Sequence, residues 1–329
     1  ALEVTLTEGA NISPDPARVM DYSHPQKFTV TSEDGNWHKE YSVIIDTFDL
    51  PLRYDFEHYE LNETGKYQVF FEETQGTALF KQYIWASGNS GFALTGVGRN
   101  PQEYPTVSIE NGIDGSRAIK LETKSTGQFG ETVKMPIAAG NLFLGSFDVN
   151  NAVQKPLKAT RFGLPFGKKP LQLKGYYKYT PGTQPFKAKD KNGNTVTIPG
   201  QEDEGDIYAV LYEAAELDGK ALDGNNVLTS ENIVALARVE VEKKDEFTAF
   251  HVDFHYKSRI PIDWPKFIQD QRDPSDDGTD EYLPFKEKKM KNYEYNLAVV
   301  FTSSIYGAYF AGSVGSTLCI DKVEIVCEK

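Results

Sequence analysis

Leu171-Gln172-Leu173-Lys174-Gly175-Tyr176-Tyr177-Lys178-Tyr179 reads as one long strand, and Pro181-Gly182 ends it. The pattern repeats in both directions. Asp206-Ile207-Tyr208-Ala209-Val210-Leu211-Tyr212 is a second strand, and Asn141-Leu142-Phe143-Leu144-Gly145-Ser146-Phe147 a third, following Ala138-Ala139-Gly140. Strands are also expected at 67–72, 118–123, 233–242, 247–256, 293–301 and 317–326. Short runs rich in Val, Thr, Tyr and Phe alternate with Gly, Pro, Asn and Asp turns, which is the signature of an all-β protein. About ten strands with long decorated loops predict a two-sheet sandwich, of jelly-roll type rather than a barrel. Asn192-Gly193 marks a protruding hairpin. Residues 216–232 read as a loop with a short helical turn, and residues 257–291 as a long charged insertion.

Residues 1–47 read as a smaller β unit. Leu2 to Leu6 alternates, and Phe28-Thr29-Val30-Thr31 faces Tyr41-Ser42-Val43-Ile44-Ile45 about Glu33-Asp34-Gly35-Asn36. So short a piece buries little core, so it is expected to pack on its neighbour or to be part of a larger immunoglobulin-like domain. A link around Pro51 leads into residues 48–329.

The net charge of −13 argues against a nucleic-acid partner, because phosphate binding needs Lys and Arg to displace counterions. It argues equally against an anionic membrane surface. No apolar run approaches the ~20 residues of a membrane helix, so no direct membrane insertion is expected. No signal-peptide pattern opens the chain, so the first residues report no address. Cys319 and Cys327 are eight residues apart on one expected strand, roughly 26 Å. A disulfide needs Cα atoms within about 7 Å, so two free thiols are expected.

The residues with chemical promise begin at Trp85-Ala86-Ser87-Gly88-Asn89-Ser90-Gly91-Phe92. A Trp beside amide, hydroxyl and glycine reads as a strand end running into a shaped loop. An exposed ring there would cover the C–H face of a sugar, and amides and hydroxyls would pair with its OH groups. The alternative is a core Trp beside an ordinary turn. The candidate sugar site joins Trp85 and Asn89 with Glu122, Asn141, Arg161, Lys174, Asp206 and Tyr208, and Ser303, Ser304 and Tyr306 are expected at its edge. Arg161 lies among apolar neighbours and must meet a carboxylate or a ligand, with Asp206 the expected partner. A structural Arg–Asp pair explains the same residues.

Glycoside hydrolysis needs two carboxyls about 5–9 Å apart. The pattern Glu-x-Asp-x-x-Glu is absent, which leaves Glu122 and Asp206 as weak catalytic candidates. His251, Asp253 and His255 share one strand face. Val252, Phe254 and Tyr256 supply the apolar face, so the His-Asp-His face is read as solvent and no metal ligand is assigned. Asp273 to Gly278 mimics the start of a calcium loop, but the twelfth position is Pro284 where a Glu is required. Asp321 is a weak candidate for a structural calcium, and no other cofactor is expected. Neither a phosphate loop nor a Gly-x-Ser-x-Gly elbow occurs.

Trp85-Ala86-Ser87-Gly88-Asn89, Tyr104-Pro105-Thr106, Leu121-Glu122-Thr123, Ala138 to Gly145, Thr160-Arg161-Phe162-Gly163, Gly175 to Tyr179, Asp206-Ile207-Tyr208-Ala209 and the ending from Ser303-Ser304 to Asp321 together resemble the "putative carbohydrate metabolism domain" family of gut Bacteroidetes. The resemblance covers about residues 50–329. Phe28 to Gly35 is similar to the immunoglobulin-like modules that precede such domains. The resemblance implies a small immunoglobulin-like β-sandwich unit followed by a larger jelly-roll. It also implies an exported protein of the periplasm or outer-membrane surface, expected as a lipoprotein. Its partner would be an oligosaccharide or polysaccharide, with other glycan-utilisation proteins alongside. Fold does not fix function, so three readings stay open. These are a non-catalytic carbohydrate-binding protein, a glycoside hydrolase with a cross-strand carboxylate pair, and a structural or adhesive surface protein.

Overall fold

The computed structural model describes residues 4–19, 26–43, 49–74, 80–217, 220–273, 275 and 278–329. Two compact units divide the chain, Ala1–Asp49 and Leu50–Lys329.

The described part of the first unit is a three-stranded antiparallel sheet of Asn11–Ser13, Gln26–Thr31 and His38–Val43. The second and third strands form a hairpin in register from Gln26 opposite Val43 to Thr31 opposite His38. Its turn is held by Asp34, whose carboxylate accepts from the Ser32 hydroxyl and the Asn36 backbone. The alternating run expected at Leu2–Leu6 is not a strand at residues 4–6, and residues 1–3 lie outside the described residues, as do Ile44 and Ile45.

The second unit is an all-β sandwich. Its first sheet runs in the order Thr106–Ile109, Ala118–Glu122, Thr317–Cys327, Pro170–Thr180, Lys244–Asp253, with Arg53–Tyr54 paired to the Thr317–Cys327 strand. The second runs Thr160–Phe162, Asn141–Phe147, Tyr295–Thr302, Asp206–Glu213, Ile233–Val239. Leu164–Pro165 and Trp85–Ala86 pair with the Tyr295–Thr302 and Asn141–Phe147 strands respectively. Every pairing is antiparallel.

Side-chain alternation sorts each strand of the second sheet between two apolar layers. Leu142 and Leu144, Ile207, Ala209 and Leu211, and Leu297, Val299 and Phe301 point inward. They meet Ile119, Leu121, Leu173, Ile320 and Val323 of the first sheet in the central core. Phe143, Tyr208, Val210, Tyr212, Ala298 and Val300 point the other way. There they meet Leu222 and Val227 of the 216–232 loop and Tyr282 of the 257–291 insertion. The second sheet is therefore covered on both faces. That is why Asp206–Glu213 is buried at every position, although antiparallel sheets commonly leave one face wet.

Gly145 permits one close approach that shapes the covered outer face. Its φ is 140°, and a Cβ there would stand 2.0 Å from the Arg161 carbonyl oxygen. Only glycine lets the Thr160–Phe162 strand lie against Asn141–Phe147 at this point. The Asn192-Gly193 hairpin is also present, with Lys187–Lys189 paired to Thr195–Thr197 and Gly193 at φ 74°. The charged insertion carries two short helices, Lys266–Gln269 and Glu287–Lys291.

A candidate glycan cleft on the outer face of the second sheet

Cross-strand register sets the floor of the cleft. Asn141 lies opposite Thr302, and Thr302 opposite Asp206. One step along, Phe143 lies opposite Val300, Val300 opposite Tyr208, and Tyr208 opposite Arg238. An amide, a hydroxyl and a carboxylate thus form one polar row at the strand ends, and an apolar row follows it. All of these residues but Arg238 line a cleft of about 200 Å³, closed over by the 148–159 segment, the helix Gly127–Thr132, and the stretch from Ser304 to Phe310. Trp264 of the insertion forms part of its wall, half-buried, with the Arg272 guanidinium 4.3 Å above the ring centroid.

The polar row is locked from behind. Asp206 is 2% exposed and accepts two hydrogen bonds from Arg238, Nε to Oδ1 at 3.0 Å and Nη2 to Oδ2 at 2.7 Å. Asn141 Oδ1 accepts from the Gly88 backbone N–H at 2.8 Å. Tyr208 is buried, and that burial raises its phenol pKa well above the ordinary value. Ser304 donates to Asp203 at 2.6 Å. The backbone N–H of Ser313 and the Ser316 hydroxyl converge on the same Asp203 oxygen at 2.8 and 2.7 Å. Burial holds the Asp203 carboxyl up at about 6 against the downward pull of these donors. In the apolar part of the cleft, the buried Thr160 Oγ1 finds no hydrogen-bond partner among the described residues.

Four of the residues singled out in the sequence line this cleft: Asn141, Asp206, Tyr208 and Ser304. The others stand elsewhere. Trp85, expected as an exposed platform, is 4% exposed. Its ring packs against Tyr54, Phe56 and Phe301 at centroid distances of 5.0, 5.5 and 6.1 Å. Its Nε1 donates to Glu72 at 2.8 Å. No face of the ring is left for a sugar. Asn89 is fully buried and spends its amide on Thr106, donating to the carbonyl at 2.8 Å and accepting from the N–H at 3.1 Å.

Arg161 does not meet Asp206. It is exposed and donates to Asp148 at 2.8 Å, while Arg238 takes the place expected for it. Glu122 lies between Lys120 at 2.9 Å and Lys124 at 2.7 Å. Burial works to raise its pKa, but the two lysines outweigh burial and hold it below the ordinary value. It neither lines the cleft nor contacts Asp206. Lys174 belongs to the first sheet, opposite His251 and Glu324. Ser303 is buried against Thr123 and Gly140. Tyr306 packs its ring on Phe267 and Trp264 beside the cleft.

His251 and Asp253 are exposed on the solvent face, and Asp253 accepts from Gln172 at 2.6 Å. Asp321 accepts from the Ile113 N–H at 2.7 Å and the Ser116 hydroxyl at 2.9 Å, so its carboxylate has protein partners. No group of three metal-ligating side chains occurs among the described residues. The acidic stretch at 273–278 falls partly outside them. Both cysteines are free, and burial pushes their thiols up to about 11. Trp264 and Arg238 were missed by sequence reasoning. A Trp followed by Pro inside a charged insertion was the available signal for the first.

The family described as "Putative carbohydrate metabolism domain" matches residues 55–326. The chain belongs to that family. A second family, described as "SGBP, N-terminal", matches residues 1–45. Two solved structures are similar to this carbohydrate metabolism domain protein. One is described as a putative glycoside hydrolase from Bacteroides thetaiotaomicron VPI-5482. It is 42% identical with a TM-score of 0.73, over 99% of this chain and 85% of that one. The other is described as a putative glycoside hydrolase from Bacteroides vulgatus ATCC 8482. It is 34% identical with a TM-score of 0.67, over 86% of this chain and all of that one. No curated protein matches the chain. Among the described residues, no helix is long and apolar enough to cross a membrane.

Proposed function

We propose that this protein binds an oligosaccharide, or a segment of a polysaccharide, in the cleft on the outer face of the second sheet, and does not cleave it. One observation carries the reading. Asn141, Thr302 and Asp206 present an amide, a hydroxyl and a carboxylate from three adjacent strands, and Trp264 adds an aromatic wall to the same cleft. Neighbouring strands lie about 4.8 Å apart, so the three groups form a short ladder for ring hydroxyls. Membership in a carbohydrate metabolism family supports a glycan as the ligand.

The runner-up is glycoside hydrolysis, favoured by the descriptions of the two solved relatives. That chemistry uses two carboxyls about 5–9 Å apart. Among the described residues that line the cleft, Asp206 is the sole carboxylate, and Arg238 holds both of its oxygens. Glu122, the other candidate, is committed to two lysines. Binding is therefore the better reading of this cleft. The match to the SGBP, N-terminal family supports an exported protein of the periplasm or outer-membrane surface, and a lipid anchor belongs to the same proposal.

The test is to incubate each bound oligosaccharide with the protein and follow reducing ends over hours. Saturable binding without release supports the proposal. Release that disappears in Asp206→Asn, with the variant folded, makes the protein a hydrolase.

A further inference from the structure

We infer that the saccharide taken by this cleft carries an aromatic substituent; the inference rests on the glycan reading above. The polar row accounts for one end of the cleft only. Away from it the lining is Phe129, Val133, Met135, Phe147, Val153 and Leu157, which offer nothing to a hydroxyl-covered sugar ring. A bare saccharide there would lose water from its hydroxyls without replacement hydrogen bonds.

The space suits an aryl group. A dry apolar cavity of about 150 Å³ is known to accept benzene, and this cleft holds about 200 Å³ with part of it given to the polar row. Phe147 and Phe129 supply aromatic faces and edges for offset or edge-on contact. The apolar character continues to the surface. Phe129 is 40% exposed, and Leu94 and Val97, exposed to 48% and 41%, flank Thr95 of the lining.

The test is calorimetric titration of the full chain with 4-nitrophenyl glycosides of common mono- and disaccharides, beside the methyl glycosides of the same sugars and 4-nitrophenol alone. The 4-nitrophenyl compound of the preferred sugar is expected to bind about tenfold to hundredfold more tightly than its methyl counterpart. Equal affinity of the two compounds overturns the inference and leaves the cleft a plain saccharide site. A panel in which no 4-nitrophenyl glycoside binds overturns it as well. Binding of 4-nitrophenol as tight as that of its glycosides overturns both this inference and the glycan reading beneath it.

Discussion

Arg238 holds Asp206 by two parallel hydrogen bonds, although the two residues start from neighbouring strands and different rows. The side chains are 15% and 3% exposed, so the pair is shielded from water on nearly every side. It makes the polar end of the cleft rigid, and it places a single carboxylate there under the control of a fixed cation.

Breaking that pair leaves one charge buried alone. Asp206→Ala and Arg238→Ala are each expected to cost about 3–5 kcal/mol in urea unfolding. The double variant Asp206→Leu/Arg238→Met removes both charges and is expected to lose much less than the sum of the single changes. A double-mutant cycle measures the difference. Additive losses would mean that the two side chains do not depend on each other.

Asp203 gives the fold a dependence on acidity. Its folded pKa, about 6, stands above the ordinary 3.8 because burial disfavours the charged carboxylate, against the pull of the Ser304, Ser313 and Ser316 donors. The folded state therefore holds the proton more tightly than the unfolded chain does. The stability this contributes is complete below about pH 4 and is lost as the pH rises through about 6. Asp203→Asn should flatten that part of the profile. The wild type is expected to lose on the order of 3 kcal/mol relative to the variant between pH 4 and pH 7, read from chemical denaturation at each pH. Parallel profiles would show that Asp203 binds protons equally in both states.

Trp85 is expected to act on stability. Trp85→Ala removes a ring packed on three aromatic neighbours and should cost about 3–5 kcal/mol. Trp85→Phe is milder and isolates the hydrogen bond. Burial already pushes the Glu72 carboxyl up to about 7, and the indole N–H that favours its charged form is the pull in the other direction. Losing that donor raises the Glu72 pKa further. The stability tied to its bound proton is fully present below about pH 4.5 and is lost as the pH rises through about 7. In Trp85→Phe this loss should begin at the same pH but extend to higher pH than in the wild type, and Glu72→Gln should abolish it. A loss that ends at the same pH in Trp85→Phe as in the wild type would mean that the indole does not tune this carboxyl.

The strands were legible because alternation and turn residues are local. Asn141–Phe147 has the bounds read from its sequence, and Asp206–Glu213 differs from its reading by one residue. The site was less legible because its decisive facts are long-range. Nothing near Trp85 in the sequence says that Tyr54 and Phe301 close over its ring. Nothing near Asn89 announces that Thr106 absorbs its amide. Choosing Arg238 over Arg161 as the partner of Asp206 requires knowing that Tyr208 pairs with Arg238, which is a matter of strand register. Trp264 lay in a stretch read as a long charged insertion, and its role depends on where the insertion folds back.

The most direct measurement is a glycan-array screen of the wild type beside Trp264→Ala, with folding of the variant checked by thermal unfolding. Trp264 walls the cleft, is half-buried and is separate from the central core around Trp85. The wild type is expected to retain a defined set of glycans, and Trp264→Ala, still folded, to lose about tenfold or more of that binding. A folded Trp264→Ala that keeps the full glycan profile, or a wild type that retains no glycan, would contradict this expectation.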